Sequence, residues 1–421
     1  MHPPLPAKVD IAIIGGGIIG VMTALELAER GLSVGLFEKG QIAGEQSGRN
    51  WGWVRKMGRD PREIPLMIQS IALWRGMNER LGRETGFRQC GIAYLAQNAK
   101  QMAGHESWLK SAGDHPVGSR LITGAEVASL LPDLVKPFAG ALYTQDDARA
   151  EPSLAVAAMA AAAVEKGVQI FTQCAVRGFE TQAGRMSHII TERAAVACQG
   201  LVVAGGYWSR RFLMRHGIAF AQLGVVNSVM RTCALDGPTI SASGADFAFR
   251  KRGDGGYTLA HRRLSVADLT PDYFRQFWKF IPALREDPAG FRIRIGKRFI
   301  TEAQLARQWK LDEISPFEKM RVLDPEPVNA ILDESLASLR AHLPIFEKAQ
   351  ILQRWAGMID VTPDTVPVIS PVASIPGLYL ASGFSGHGFG IGPGAAKLMA
   401  DLITKTAPSV NPEPFRWDRF H

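Results

Sequence analysis

Apolar and polar positions along this chain follow two periods, and the changes of period mark out its elements. Val9-Asp10-Ile11-Ala12-Ile13-Ile14 is a short, nearly continuous apolar run, as expected of a strand buried on both faces. A glycine cluster and a helix start follow it, and a second strand is predicted from Ser33 to Phe37. Glu45 to Arg62 is a polar, glycine-containing loop. Ile64 to Leu81 has helical spacing, with Leu66, Ile68, Ile71, Leu73 and Trp74 among its apolar positions. Gly91 to Ala96 suits a strand. Ser153 to Lys166 is predicted as a helix that starts after Pro152 and is closed by Gly167. Val168–Thr172, Ala175–Glu180 and Gly200–Ala204 read as strands and look like the second half of a nucleotide-binding sheet. Phe247–Arg250 and Gly256–Ala260 read as antiparallel partners about the turn Gly253-Asp254-Gly255. Pro271 to Leu284 is a helix carrying Tyr273, Phe274, Phe277, Trp278 and Phe280, read as covering a sheet face in preference to anchoring at a membrane surface. A strand at Gly377–Gly383, a glycine-rich turn and a last helix at Ala395–Thr404 close the chain.

The first glycine cluster carries chemistry. Gly15 makes the tight turn after the strand, Gly17 lets backbone N–H groups approach a pyrophosphate, and Gly20 lets helix and strand pack closely. The helix N-terminus adds partial positive charge where phosphates would sit. Glu38 lies 23 residues after Gly15, near the offset of a ribose-binding carboxylate, at the end of the second strand. Strand, glycine turn, helix and terminal acid together predict dinucleotide binding.

At 421 residues the chain exceeds one ordinary core, so two domains are expected. The apolar share of 46% and charged share of 21% are those of a soluble globular protein. The longest apolar run, Leu154 to Val164, is about half of what crosses a bilayer. The first residues lack a signal-peptide pattern, and Cys90, Cys174, Cys198 and Cys233 are scattered. The expectation is a cytoplasmic protein with reduced thiols, no metal site and no transmembrane segment. The formal charge of +8 raises the question of nucleic acid, but the basic residues are spread along the chain, so no nucleic-acid partner is expected.

Four segments together resemble the FAD-dependent D-amino-acid oxidase superfamily, which includes glycine oxidase, sarcosine oxidase and D-amino-acid dehydrogenases. They are Gly15–Gly20 with Glu38; Ser47-Gly48-Arg49-Asn50; Leu201–Ser209; and Trp355-Ala356-Gly357 with Thr362–Ile369 and Gly383–Gly388. The resemblance spans residues 9 to about 405. It implies an α/β fold, α+β overall. A discontinuous Rossmann-like FAD-binding domain (1–88, 147–220 and 350–421) would hold an inserted, mainly antiparallel substrate domain (89–146 and 221–349). It implies non-covalent FAD held by Gly15, Gly17, Ile18, Ile19, Gly20, Glu38 and Lys39; by Ser47, Gly48, Arg49 and Asn50; by Val176, Ala204, Gly205, Gly206 and Trp208. The remaining contacts would come from Gly357, Gly383, Ser385, Gly386, His387, Gly388, Phe389 and Gly390. The glycines of the last segment, Gly392 included, would let backbone lie against the flat flavin ring, with the last helix starting near Pro393.

Residues 40–60 lack histidine and 350–370 lack cysteine, the types that relatives use to attach flavin covalently. No lysine lies in Gly256–Ala260, where sarcosine oxidases are expected to carry one, which tilts the reading toward a dehydrogenase. The arginine that such oxidases often carry before the TPD-like stretch is also absent: Ile359 and Asp360 stand there. Arg49, His387, Asp360, Tyr257 and Arg250 are the candidate catalytic and substrate residues, with Arg252, His261 and Arg354 as further candidates for a carboxylate clamp. The expected reaction is oxidation of the C–N bond of an amino acid or small amine by hydride transfer to flavin N5, with an imine product that water hydrolyses. The acceptor would be O2, an electron carrier or a quinone, and an oligomer is possible. The alternatives are a 2-hydroxy acid dehydrogenase, with His387 or His261 as base, a FAD-binding subunit of a larger complex, and a flavoprotein acting on tRNA.

Overall fold

The computed structural model describes residues 3–286 and 290–420. Five parallel strands run in the order Gln169–Phe171, Val34–Phe37, Lys8–Ile14, Ala195–Val203, Leu378–Ser382. Antiparallel additions, Val176–Gln182, Arg185–Thr191 and Val368–Pro371, complete an eight-stranded sheet. Lys8–Ile14 lies at its centre and is buried on both faces, which is why its sequence reads as a run and not as an alternation. Helices Ile18–Ala28, Pro152–Glu165 and Gly388–Thr404 pack against this sheet in one apolar cluster with Ile13, Val202 and Phe389.

A second, ten-stranded sheet is mainly antiparallel and includes Ile92–Ala96, Gly140–Thr144, Leu223–Thr232, Phe247–Lys251 and Tyr257–Ala260. The hairpin Phe247–Ala260 forms as its turn residues predict. Strand Ile351–Val361 belongs here too, paired with Leu223–Thr232 from Leu223↔Val361 to Thr232↔Ile351. The residues that follow the boundary expected at 350 thus give their strand hydrogen bonds to the second sheet.

Two further expectations change. The helix expected over Ile64–Leu81 is two helices, Ile64–Arg75 and Met77–Leu81, separated at Gly76. The last helix begins at Gly388, with Pro393 inside it. Gly390 and Gly394 within it pack against a neighbouring strand and helix. A Cβ on Gly390 would stand 3.1 Å from the Trp53 carbonyl oxygen, and one on Gly394 2.7 Å from that of Leu66.

The core also fixes a response to acid. The His216 ring stacks on Phe179 at 3.6 Å between centroids, and its Nε2 accepts the Phe179 N–H. Burial pushes its pKa down to about 3. The unfolded chain protonates this ring near pH ~6.5. Between those values the unfolded state binds the extra proton, so stability falls as pH falls, by up to about 1.4 kcal/mol per pH unit. In His216→Phe, the drop in thermal midpoint between about pH 7 and about pH 5 should shrink relative to the parent; an unchanged drop would refute the assignment.

Candidate functional site

A cleft opens at the carboxyl ends of the parallel strands, the place where open α/β sheets bind ligands. One side is the glycine turn. Gly15 adopts φ +110°, and a Cβ there would stand 2.3 Å from the Ala204 carbonyl oxygen. A Cβ on Gly20 would stand 2.0 Å from the carbonyl oxygen of Gly15, so helix and strand touch backbone to backbone. Glu38 sits at the strand end, where its two oxygens accept the N–H groups of Gly16 and Gly40, each at 2.6 Å. Burial pushes its carboxyl up, and those two N–H groups oppose the shift.

Gly15, Gly17, Ile18, Ile19, Glu38, Lys39, Ser47, Asn50, Val176, Ala204, Gly205, Gly206 and Trp208 all border the cleft. From the C-terminal segment Gly386, Gly388 and Phe389 do so as well. Lys39 Nζ pairs with Glu45 at 2.6 Å and lies 4.6 Å from the Trp208 ring centroid, bracing the wall. The Ser47 hydroxyl accepts the Ile18 N–H at 3.0 Å, and Asn50 Nδ2 donates to the Ser47 carbonyl. Gly383, Ser385 and Gly386 form the turn after the last strand with φ of +77°, +49° and +81°. Gly390 lies within the helix, as described above, and Gly48 faces a second cavity.

Two buried oxygens that border the cleft, Gln46 Oε1 and Ser209 Oγ, have no hydrogen-bond partner in the described protein. Buried polar atoms are rarely left unpaired, so the cleft is shaped for a ligand with polar groups of its own. A Cβ on Gly357 would stand 2.1 Å from Gln46 Oε1, which shows how closely strand Ile351–Val361 meets this loop. The glycine cradle, the paired acid at the strand end and the orphaned oxygens fit FAD. Gln46 escaped the sequence reading, because only the contact with Gly357 sets it apart from other polar loop residues.

The remaining candidates separate. Asp360 borders the cleft, but its Oδ2 accepts from Gly383 N–H (2.7 Å), Gln222 Nε2 (3.0 Å) and Ser382 Oγ (3.3 Å). It closes the turn and is not presented to a cationic amine; burial pushes its carboxyl up. His387 Nδ1 lies 3.0 Å from Glu63, which is fully buried and also faces Arg59 at 3.8 Å. Burial lowers the His387 pKa, with Glu63 opposing. Tyr257 is withdrawn from the substrate list: it is buried among Phe249 and Phe346, with its hydroxyl donating to Pro238. Its strand position faces the core of the second sheet. His261 is also buried, its Nδ1 accepting the N–H groups of Arg263 and Leu264.

Arg49 and Arg250 meet at a second cavity of about 600 Å3, which shares Gln41, Ala43, Gly44 and Asn50 with the cleft. Arg231, Arg252 and Arg354 also line it, against Asp324 and Glu326. Arg49 donates to Asp324 and to the carbonyls of Gly44 and Ala356. Arg250 is 0% exposed and forks onto Glu151 at 2.7 and 3.2 Å. Among the described residues, no cluster of His, Cys, Asp and Glu is arranged to hold a metal, and no helix is long and apolar enough to cross a membrane. All four cysteines are free thiols.

The model of the FAD-dependent oxidoreductase family DAO matches residues 10–402, a span that takes in the whole glycine cleft. The chain belongs to that family. L-amino acid deaminase from Proteus myxofaciens, solved with anthranilate, superposes with a TM-score of 0.96 at 35% identity, covering 100% of this chain and 95% of that one. The Proteus vulgaris L-amino acid deaminase gives 0.94 at 32%, covering 100% and 99%. Glycine oxidase of Pseudomonas aeruginosa is 25% identical over 96% of this chain and 97% of its own length. Mouse mitochondrial sarcosine dehydrogenase is 22% identical over 99% of this chain, which spans only 42% of that longer protein. As a DAO-family member the chain is a FAD-dependent oxidoreductase, and the C-terminal turn and the Ser47–Asn50 loop border the same cleft as the N-terminal glycines.

Proposed function

We propose that this chain oxidises the C–N bond of an amino acid or a related carboxylate-bearing amine. The observation that carries this reading is the cavity beside the cleft, walled by five arginines against two acids. Its size falls in the range of small-molecule sites. A guanidinium fork matches a carboxylate in charge and shape, so Arg49, Arg231, Arg252 and Arg354 in the cavity wall take the role that Ile359 leaves open, while the Arg250 fork is engaged by Glu151. Bound FAD supplies the acceptor for the hydride lost from the substrate carbon. The protein's own part is orientation: the loop from Gln41 to Asn50 borders both cavities and aligns one with the other. An amine that arrives neutral needs no strong base. A 2-hydroxy acid needs one, and neither His387 nor His261 borders either cavity. The amine reading is also supported by the names of its relatives, glycine oxidase and L-amino acid deaminase. We further propose that the FAD dissociates on acid precipitation, that the protein is cytoplasmic, and that electrons leave to O2, an electron carrier or a quinone. An anaerobic screen of flavin bleaching with D- and L-amino acids, N-methyl amino acids, diamines and 2-hydroxy acids tests the reaction. Bleaching by carboxylate-bearing amines is expected. Bleaching by hydroxy acids alone, or by none of these with FAD bound, would overturn it.

A further inference from the structure

One side of the arginine-lined cavity is a row of side chains set by strand register. Arg250 stands opposite Thr258, Thr258 opposite Arg231, and Arg231 opposite Gln353, on four neighbouring strands of the second sheet. Residues directly opposite one another share a face of the sheet and lie about 5 Å apart, so the row is one continuous polar strip. Arg250, Arg231 and Gln353 all line the cavity.

Hydrogen bonds separate the arginines that are committed from the one that is not. Arg250 is held by Glu151 and by Thr258 Oγ1. Arg49 is spent on Asp324 and on the carbonyls of Gly44 and Ala356. Arg252 donates to Asp254 at 3.1 Å and to Thr258 Oγ1 at 3.3 Å, and Arg354 donates to Asp333 and to Asn329. Arg231 differs. Its one ion pair, from Nη1 to Asp254, is 4.0 Å long, and Arg252 already holds that acid. Its Nε is buried and has no hydrogen-bond partner among the described residues. Gln353 beside it makes no side-chain hydrogen bond among the described residues either. Of the two acids in the wall, Asp324 is taken by Arg49, and Glu326 pairs with no arginine of the wall among the described residues. A buried donor left without a partner is rare and costly, so this part of the strip is shaped for an acceptor from outside the chain.

We propose that Arg231 and Gln353 together hold the substrate carboxylate, the guanidinium through charge-assisted hydrogen bonds and the amide through one more. This deepens the amine-oxidation reading above and rests on it. The other four arginines, each held by an acid of its own, shape the cavity, and the carboxylate falls to the guanidinium that has a buried donor unspent. An amine without a carboxylate gives this pair nothing to bind, so the pair selects amino acids over plain amines.

The test compares the FAD-loaded parent with Arg231→Met, Arg231→Lys and Gln353→Leu, using the amino acid that bleaches the parent fastest. KM should rise at least about tenfold in Arg231→Met and by less in Gln353→Leu, with kcat little changed. Arg231→Lys should recover part of the loss, since it restores the charge but not the fork. Propionate, as a competitive inhibitor, should lose affinity in parallel with the rise in KM. Flavin content and thermal midpoint should match the parent, because no other element of the protein leans on Arg231. An unchanged KM in Arg231→Met, with a parent that carboxylate-bearing amines do bleach, overturns this assignment and leaves the amine reading standing. No bleaching of the parent by any such amine overturns both. A rise in KM that comes only with loss of flavin or of thermal stability makes Arg231 a structural residue and also overturns the assignment. A larger rise in Arg49→Met, at unchanged flavin content, would move the carboxylate to that arginine instead.

Discussion

Gly15→Ala is expected to yield a protein that retains less than about a tenth of the parent's flavin. Two causes act at one position. The backbone there holds φ +110°, where an L side chain costs about 1–2 kcal/mol or more. The added Cβ would also stand 2.3 Å from the Ala204 carbonyl oxygen and 2.8 Å from its carbon. Neither is the mobile end of a side chain. Both belong to the strand end that is tied to the glycine turn through the Ala204 N–H to Ile14 carbonyl bond (2.9 Å) and through the Gly15 N–H to Phe37 carbonyl bond (2.9 Å). Relief therefore shifts several cleft-lining segments together, Ala204–Gly206 among them. The measurement is visible flavin absorbance relative to protein, with thermal unfolding alongside. Gly31→Ala is the control: Gly31 has φ +83° but open space around its Cβ position, so it should cost about 1 kcal/mol and keep its flavin. If both variants keep flavin equally, the close approach at Ala204 is not what shapes the cleft.

Arg250→Met is expected to be the most damaging single change at the arginine-lined cavity, in stability first and through it in substrate binding. Arg250 donates to both Glu151 oxygens, to Thr258 Oγ1 at 3.1 Å and to the Trp51 carbonyl at 2.5 Å. Removing the guanidinium leaves the buried Glu151 with Arg149 at 3.2 Å and the Gly253 N–H at 2.9 Å. Breaking a buried pair from one side costs about 3–5 kcal/mol. Loosening of the cavity wall that this pair holds should also raise KM for amino acids more than it changes kcat. The double variant Arg250→Met/Glu151→Leu separates support of the wall from contact with substrate. It removes the orphaned acid, so most of the stability should return, and KM should return with it. If KM stays high while stability returns, Arg250 itself touches the carboxylate, and Arg49, Arg231, Arg252 and Arg354 do not suffice.

The nucleotide half of the cleft was legible in the sequence because its determinants are local. Strand, turn, helix start and acid lie between Val9 and Glu38, and each residue there has a conformation or contact that few other types can supply. The C-terminal glycines were legible as important but not as what they are. Gly383 and Gly386 need positive φ for a turn, whereas Gly390 and Gly394 sit in a helix pressed against Trp53 and Leu66, and a run of glycines looks the same in either case. Asp360 could not be resolved from sequence at all, since Gln222 and Gly383, which satisfy it, come from two other segments. Tyr257 lies in the strand predicted for it, yet what its ring packs against depends on Phe346, far along the chain.

What the sequence determined by itself is therefore the set of elements, the dinucleotide turn and the family, because period, glycine spacing and the terminal acid act over a few residues. The tertiary structure decided which arginines share a cavity, that Glu151 holds Arg250, that strand Ile351–Val361 leaves the cofactor sheet for the other one, and which face of the aromatic helix stays uncovered. Each of these depends on pairs distant in sequence, and no local pattern encodes the partner that a side chain or strand edge will find.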